Sequence, residues 1–276
     1  MVNRKTGWLF YVVLLIFVFV VMFPFLWMLL SSIKPATELF GDKAFTPFSS
    51  HPTWKNYMSV FFDYPFVRYL WNSFVVSSIT TIYTVFVASF AAYSIARLQF
   101  TGKTVILGIV LSVSMFPQIA TISPIYIFLK NVGLTNSYLG LIIPYTTFTL
   151  PLSIWILVTF FRKIPHDLEE AAKIDGAGLM QTYWKIIFPL AAPGIFTTAI
   201  LVFIAAWNEF LFSLTINTDT NYKTVPVGFA LFQGQYTIPW GEIAAASIVV
   251  TVPLVILVLI FQRRIVSGLT QGSVKE

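Results

Sequence analysis

The feature that most constrains this chain is its first apolar run, Trp8 to Ile33, twenty-six residues without a charge. At 1.5 Å rise per residue a helix over it is about 39 Å long, enough to cross the roughly 30 Å hydrocarbon core of a bilayer with some tilt. Five more runs follow at about 69–96, 104–129, 139–161, 191–216 and 242–262. Hydrophobic residues make up 57% of the 276 and charged ones 10%, against about 25% charged in a soluble domain. Such a chain has too little polar surface to cover itself in water, which excludes a soluble enzyme. It reads as an all-α membrane protein with six transmembrane helices forming one domain over 1–276.

Composition also removes chemistries. Without cysteine there is no disulfide, thiolate metal site or cysteine nucleophile. The two histidines, His51 and His166, are far apart, so a histidine-based metal centre or triad has almost nothing to draw on. No cofactor and no metal are expected. A net charge of +6 would suit nucleic acid, but the basic residues gather at the ends of apolar runs, as membrane topology requires. With both termini cytoplasmic, Arg4, Lys5, Arg97, Lys103, Arg162, Lys163, Lys173, Lys185, Arg263, Arg264 and Lys275 lie inside. Lys34, Lys43, Lys55, Arg68, Lys130 and Lys223 lie outside, four of them in the long proline-broken loop 34–68. The inner loops are therefore the denser in positive charge, and no nucleic-acid partner is expected. The apolar region of a cleaved signal peptide would be much shorter than 8–33, so the first helix reads as uncleaved.

These spans are more than anchors. The second carries Asn72, Ser73, Ser77, Ser78, Thr80, Thr81, Thr84 and Ser89, with Ala88, Ala92 and Ala96 recurring every four residues on one face. Small residues at that spacing let helix backbones approach closely, and helix packing is the plainer reading beside a polar pathway lining. Pro117 with Pro124, and Pro144 with Pro151, each seven apart, are expected to bend the third and fourth spans. Glu209, in Ala205-Ala206-Trp207-Asn208-Glu209-Phe210, is an acid deep within a span and must find a partner or water. Two readings stand: a carboxyl in a central cavity that touches polar substrate or a neighbouring subunit, or a structural hydrogen bond between helices. Trp207 and Asn208 beside it offer the stacking face and amide that a sugar needs.

The strongest signal is the inner loop 162–188. Asp167 is placed as an N-cap with Glu170 three residues on, and Gly176 is placed to end the helix in a left-handed conformation. A second short helix is expected from Leu179 to Phe188, stopped at Pro189. Ala171, Ala172 and Ala177 keep this charged helix-turn-helix elbow slim enough to enter a groove on another protein. Thr101-Gly102-Lys103-Thr104 imitates the end of a phosphate loop, but the glycine required five residues before Gly102 is Arg97. Nucleotide must then be bound by a partner.

At this loop the chain resembles the membrane subunits of binding-protein-dependent ABC importers, whose pattern is Glu-Ala-Ala, three residues, Gly, nine residues, Ile, one residue, Leu-Pro. Glu170-Ala171-Ala172, Gly176, Ile186 and Pro189 match, and Phe188 stands where leucine is usual. Asp175-Gly176-Ala177, the Pro189–Pro193 run, Trp207–Phe210 and the tail from Gln262 resemble the carbohydrate branch, maltose and trehalose systems included. The resemblance implies a type I ABC importer permease, non-catalytic itself, forming half of a pathway for a sugar. Implied partners are a second permease, an ATP-binding subunit dimer, an extracytoplasmic sugar-binding protein and the surrounding lipid. It places Glu170, Ala171, Ala172, Asp175, Gly176 and Ala177 at the ATPase contact. The tail beyond Arg264 is placed near the ATPase dimer, and the outer loop 217–241, with Tyr222, Tyr236 and Trp240, at the binding protein. Importers of other solutes, such as glycerol phosphate or an amino acid, and a channel or scaffold subunit are the alternatives.

Overall fold

A computed structural model describes residues 7–40, 43–232 and 238–270, the side chains of 263–270 excepted. The described residues form helices and connecting turns: α1 (Gly7–Ser32), α2 (Ala36–Leu39), α3 (Lys55–Phe62), α4 (Phe66–Arg97), α5 (Lys103–Val113), α6 (Gln118–Asn131), α7 (Tyr138–Lys163), α8 (Asp167–Ile174), α9 (Leu179–Thr182), α10 (Phe188–Leu190), α11 (Ala192–Trp207), α12 (Leu211–Ile216), α13 (Val225–Ala230) and α14 (Trp240–Thr270). Four of them, α1, α4, α7 and α14, are long and apolar enough to cross a membrane unbroken. Two further spans exist if each bent pair counts as one: α5 with α6, bent by 89°, and Leu179–Leu190 with α11, bent by 76°.

The bends correct three expectations. The third run does not kink at Pro117; it stops at Val113, and Pro117 caps the start of α6 with an extended backbone. A residue without an N–H costs nothing there, because the first N–H groups of a helix have no partner in any case. The fifth run divides at 208–210 into α11 and α12, so Glu209 sits at a helix break. Helix continues through Pro189 to Leu190, because Tyr183–Ile187 forms a π turn closed by Phe188 N–H donating to the Tyr183 carbonyl.

Contacts divide the chain into two units, Met1–Val67 with Gly228–Pro253, and Arg68–Val227 with Leu254–Glu276. In the first, α1 is apolar all round and none of its most apolar stretch is buried, the pattern of a helix clothed by lipid or another chain. The polar loop after it is folded. Lys34 is buried, donating to the Ala44 and Thr46 carbonyls, with its ammonium 5.2 Å from the centre of the Trp27 ring. Asn56 Nδ2 ties down the Ser32 and Lys34 carbonyls at 2.8 Å each. Glu242 accepts from Ser59 Oγ and Tyr64 Oη, both at 3.1 Å.

Glu38 accepts from Ser49 Oγ at 2.7 Å and from the Ser50 N–H, and the Ser49 hydroxyl above all holds its carboxyl below the usual glutamate range. A depressed carboxylate contributes stability that is full above its unfolded pKa and is lost as pH falls through the folded one. Protection of the amides at 36–40 and 43–53, taken relative to their intrinsic exchange rates at each pH, is therefore expected to hold down to the ordinary glutamate value of about 4.3 and to be lost progressively below it. Glu38→Gln is expected to exchange faster at neutral pH and to lose that dependence.

The second unit is built on α4, α7 and α11. Ala88 and Ala92 of α4 are fully buried against Ile154, Leu157, Val158 and Phe161 of α7 and Ile195 of α11, with Ala96 partly buried beside them. The alanine stripe is thus a packing face, as small residues between membrane helices favour. The polar stripe is buried too. Asn72 Nδ2 donates to the Asn221 and Lys223 carbonyls, its Oδ1 accepts from Tyr138 Oη, and Ser73 Oγ accepts from Val225 N–H. Helix α7 starts where Ser137 Oγ accepts from the Gly140 N–H, and ends in Arg162 and Lys163, charges that suit a helix C-terminus. Ile164 and Pro165 follow and release the chain into α8.

Candidate coupling loop and membrane cavity

The loop after α7 begins with α8, an eight-residue helix with Asp167, Glu169 and Glu170 in its first turn and Lys173 in its last, the polarity a helix dipole favours. Its cap is His166, without a side-chain hydrogen bond, and Asp167 is already helical. The far end closes as a Schellman motif: Ala177 N–H donates to the Ala172 carbonyl at 2.8 Å and Gly176 N–H to that of Lys173 at 3.0 Å. Gly176 takes φ +80°, which only glycine adopts without strain.

Glu170, Ala171, Asp175 and Gly176 are exposed together, Ala177 is half-buried, and Ala172 turns inward. Four apolar side chains not marked as contacts in the sequence reading join them on the exposed side: Leu168, Ile174, Leu179 and Met180. Ile174 is 86% exposed at the tip of α8. Apolar side chains gathered around a charged turn form the kind of exposed patch that a partner protein can cover. Their signal in the sequence is their alternation with acids and glycines, which hydropathy averaging hides.

Two buried contacts seat the loop on the spans. Tyr183 lies in a nest of aromatic rings with Phe90, Tyr93, Trp184 and Phe188, and its hydroxyl donates to Ser89 Oγ of α4 at 2.8 Å. Arg97, the last residue of α4, donates through Nη2 to the Ile164 carbonyl and pairs with Glu169 at 3.2 Å.

The second feature is a cavity of about 170 Å³ lined by α6, α7, α11 and α12. Its polar groups are Gln118, Tyr145, Thr149, Ser153, Thr198 and Glu209, and its lining holds no lysine, arginine or histidine. Glu209 accepts from the N–H groups of Phe212 (2.8 Å) and Ser213 (3.2 Å), so its carboxylate caps α12. The buried Tyr145 hydroxyl lies beside that carboxyl. The break at 208–210 exists where it does because a capping acid can close a new helix there. Trp207 is buried and stacked on Phe203 at 5.7 Å, and Asn208 is exposed with its amide folded back to the Ile204 carbonyl. The three neighbours in sequence are thus parted, and Glu209 alone of them lines the cavity.

Of the outer-loop aromatics, Tyr222 is half-buried against the edge of Tyr138, Trp240 is exposed, and Tyr236 lies outside the described residues. The phosphate-loop imitation at 101–104 opens α5 from a turn, with no strand before it. No group of three or more histidine, aspartate or glutamate side chains able to hold a metal occurs among the described residues.

Apolar spans, a broken helix beside a polar cavity, and an exposed turn tied to the ends of two spans describe a polytopic membrane protein. Residues 84–271 match the family described as binding-protein-dependent transport system inner membrane component. The chain belongs to this family and is a permease subunit of an ABC importer. It is 47% identical over 257 residues to the trehalose/maltose transport system permease protein MalG of Thermococcus litoralis, covering 92% of this chain and 91% of that one. It is 43% identical over 254 residues to the sulfoquinovosyl glycerol transport system permease protein SmoH of Agrobacterium fabrum, covering 92% and 89%. A crystal structure of a bacterial ABC transporter involved in the import of the acidic polysaccharide alginate contains a chain with the same fold, with a TM-score of 0.78 at 21% identity. The match covers 95% of this chain and 98% of that one.

Proposed function

We propose that this permease carries a neutral sugar of the trehalose or maltose class. The whole chain acts as one translocation domain that forms half of the pathway, with both termini cytoplasmic. The observation that carries this reading is the 47% identity, over nearly all of both chains, to a trehalose/maltose permease. In support, the cavity offers hydroxyl, amide and carboxyl partners to sugar hydroxyls and no cation to an acidic solute. Its partners are a second permease, a dimer of ATP-binding subunits and an extracytoplasmic sugar-binding protein that meets the outer loops. ATP hydrolysis belongs to the ATP-binding subunits. Their closure draws on Glu170, Ala171, Ala172, Asp175, Gly176 and Ala177 and shifts the spans between inward- and outward-facing states. Trp207, Asn208 and Glu209 mark the pathway segment, with Glu209 as the group reaching the solute.

The test is purification of the tagged chain from mild-detergent membranes, identification of what accompanies it, and uptake of labelled sugar by the reconstituted assembly. Co-purification of an ATP-binding subunit, a second permease and a binding protein, with uptake suppressed by excess trehalose or maltose, is expected. An assembly that takes up an acidic sugar in their place would shift the assignment toward the substrate named for the Agrobacterium relative.

Glu209→Leu is expected to lower uptake at least tenfold, because it strips the Phe212 and Ser213 N–H groups of their acceptor, at about 1–3 kcal/mol per orphaned group. Co-purification of the ATP-binding subunit is expected to be unchanged.

A further inference from the structure

We propose that Arg97 is a positioning residue that fastens the coupling helix α8 to the end of α4, so that movement of α8 is delivered to that span. The inference rests on the reading of 167–177 as the ATPase contact. The supporting geometry is a single buried joint. The guanidinium is fully buried and the Glu169 carboxylate nearly so, with 0% and 10% of their side-chain surface exposed. Arg97 Nε stands 3.2 Å from Glu169 Oε1, on the inward face of α8, while Nη2 donates to the carbonyl of Ile164, the residue between α7 and α8. One planar cation therefore holds the beginning of the loop and its helix together.

Both charges of the joint lie out of water, so each compensates the other and neither can be removed alone without leaving a buried charge unpaired. Arg97 is the buried link on the α8 side of the turn. The exposed face of α8 carries Glu170, Ala171 and Ile174, which point away from the spans. Tyr183 seats the segment after the turn against Ser89, two turns of α4 before Arg97.

Removing one charge from a buried pair leaves the other unpaired and endangers folding, whereas replacing both by apolar groups of similar size is often tolerated. The test therefore uses Arg97→Met with Glu169→Leu in one chain, alongside Arg97→Lys, each purified as the full importer and reconstituted with its binding protein. Sugar transported per ATP hydrolysed is the readout, with assembly yield as the control. The double variant is expected to assemble and to transport about tenfold less sugar per ATP, within the usual range of coupling between sites. Arg97→Lys, which keeps the charge without the fork, is expected to fall between. An assembled double variant with the wild-type ratio would overturn the joint.

A cysteine at Ile174, probed for crosslinking to the ATP-binding subunit in the otherwise unaltered importer, separates the two levels. Crosslinks with an unchanged ratio in the double variant would reject the role of Arg97 alone. Absence of crosslinks would reject the coupling reading beneath it.

Discussion

Gly194→Leu is expected to abolish recovery of folded protein, and Gly194→Ala to lower its thermal stability markedly. A Cβ at this position would stand 2.3 Å from Phe160 Cγ and 2.6 and 2.7 Å from the two Cδ atoms. The obstacle is the root of an aromatic ring on α7, which cannot move as the tip of a lysine moves. Phe160 itself borders a cleft of about 240 Å³ lined by Lys163, Ile164, Leu168 and Pro193 among others, and Lys163 Nζ lies 5.6 Å from the ring centre. One methyl group can be accommodated by turning Phe160 toward that cleft, at the 1–3 kcal/mol or so that overpacking typically costs. A leucine needs space that the α7–α11 approach does not hold. Fluorescence-detected size exclusion of the detergent-solubilised protein, before and after heating, reads both effects. Phe160→Ala is expected to rescue Gly194→Ala beyond additivity, because the two groups share one space. Equal losses in the two backgrounds would mean that the close approach does not limit packing.

Gly176→Val is expected to leave the spans intact and to cut transport by about 5- to 30-fold. No atom lies within 4 Å of where its Cβ would stand, so the substitution creates no clash. Its cost is the left-handed φ of +80°, about 1–2 kcal/mol for a residue with a Cβ. That is too little to unfold a bundle packed on α4, α7 and α11, but enough to depopulate the Schellman turn that presents Ile174, Asp175 and Ala177. Uptake and copy number in the membrane, measured on the same cells, separate the two. Normal copy number with reduced uptake is expected; normal uptake would mean that the turn does not govern docking. Glu170→Lys, exposed on the same side, is expected to act in the same direction without altering the fold.

Much of this architecture can be read from local sequence. Long apolar runs bounded by basic residues locate the spans, because the bilayer requires backbone hydrogen bonds to be satisfied within each segment. The loop 167–177 is legible for a related reason: acids, alanines and a glycine in that order encode a short helix and its stop, although the helix starts one residue earlier than an Asp167 cap implies. The breaks at 114–117 and 208–210 are not legible in hydropathy, since residues on both sides are equally apolar. Pro117 and Glu209 are their signals, and each also fits an unbroken helix, Pro117 as a kink and Glu209 as a buried acid. Tertiary facts were the least accessible. Arg97 looks like an ordinary basic residue at a span end, and only the packing of α4 against the loop turns it inward onto Glu169. Trp207, Asn208 and Glu209 are adjacent in sequence, yet the helix break sends their side chains to different surroundings.

We propose that the 167–177 turn is where an ATP-binding partner takes hold of this permease. A photo-crosslinking side chain placed at Ile174, the most exposed apolar position of α8, tests it in native membranes. An adduct with a nucleotide-binding subunit is expected, its yield changing on addition of a non-hydrolysable ATP analogue, while the same probe at Phe10 on α1 gives none. Adducts with lipid or with other chains only, in membranes that still import the sugar, would contradict it.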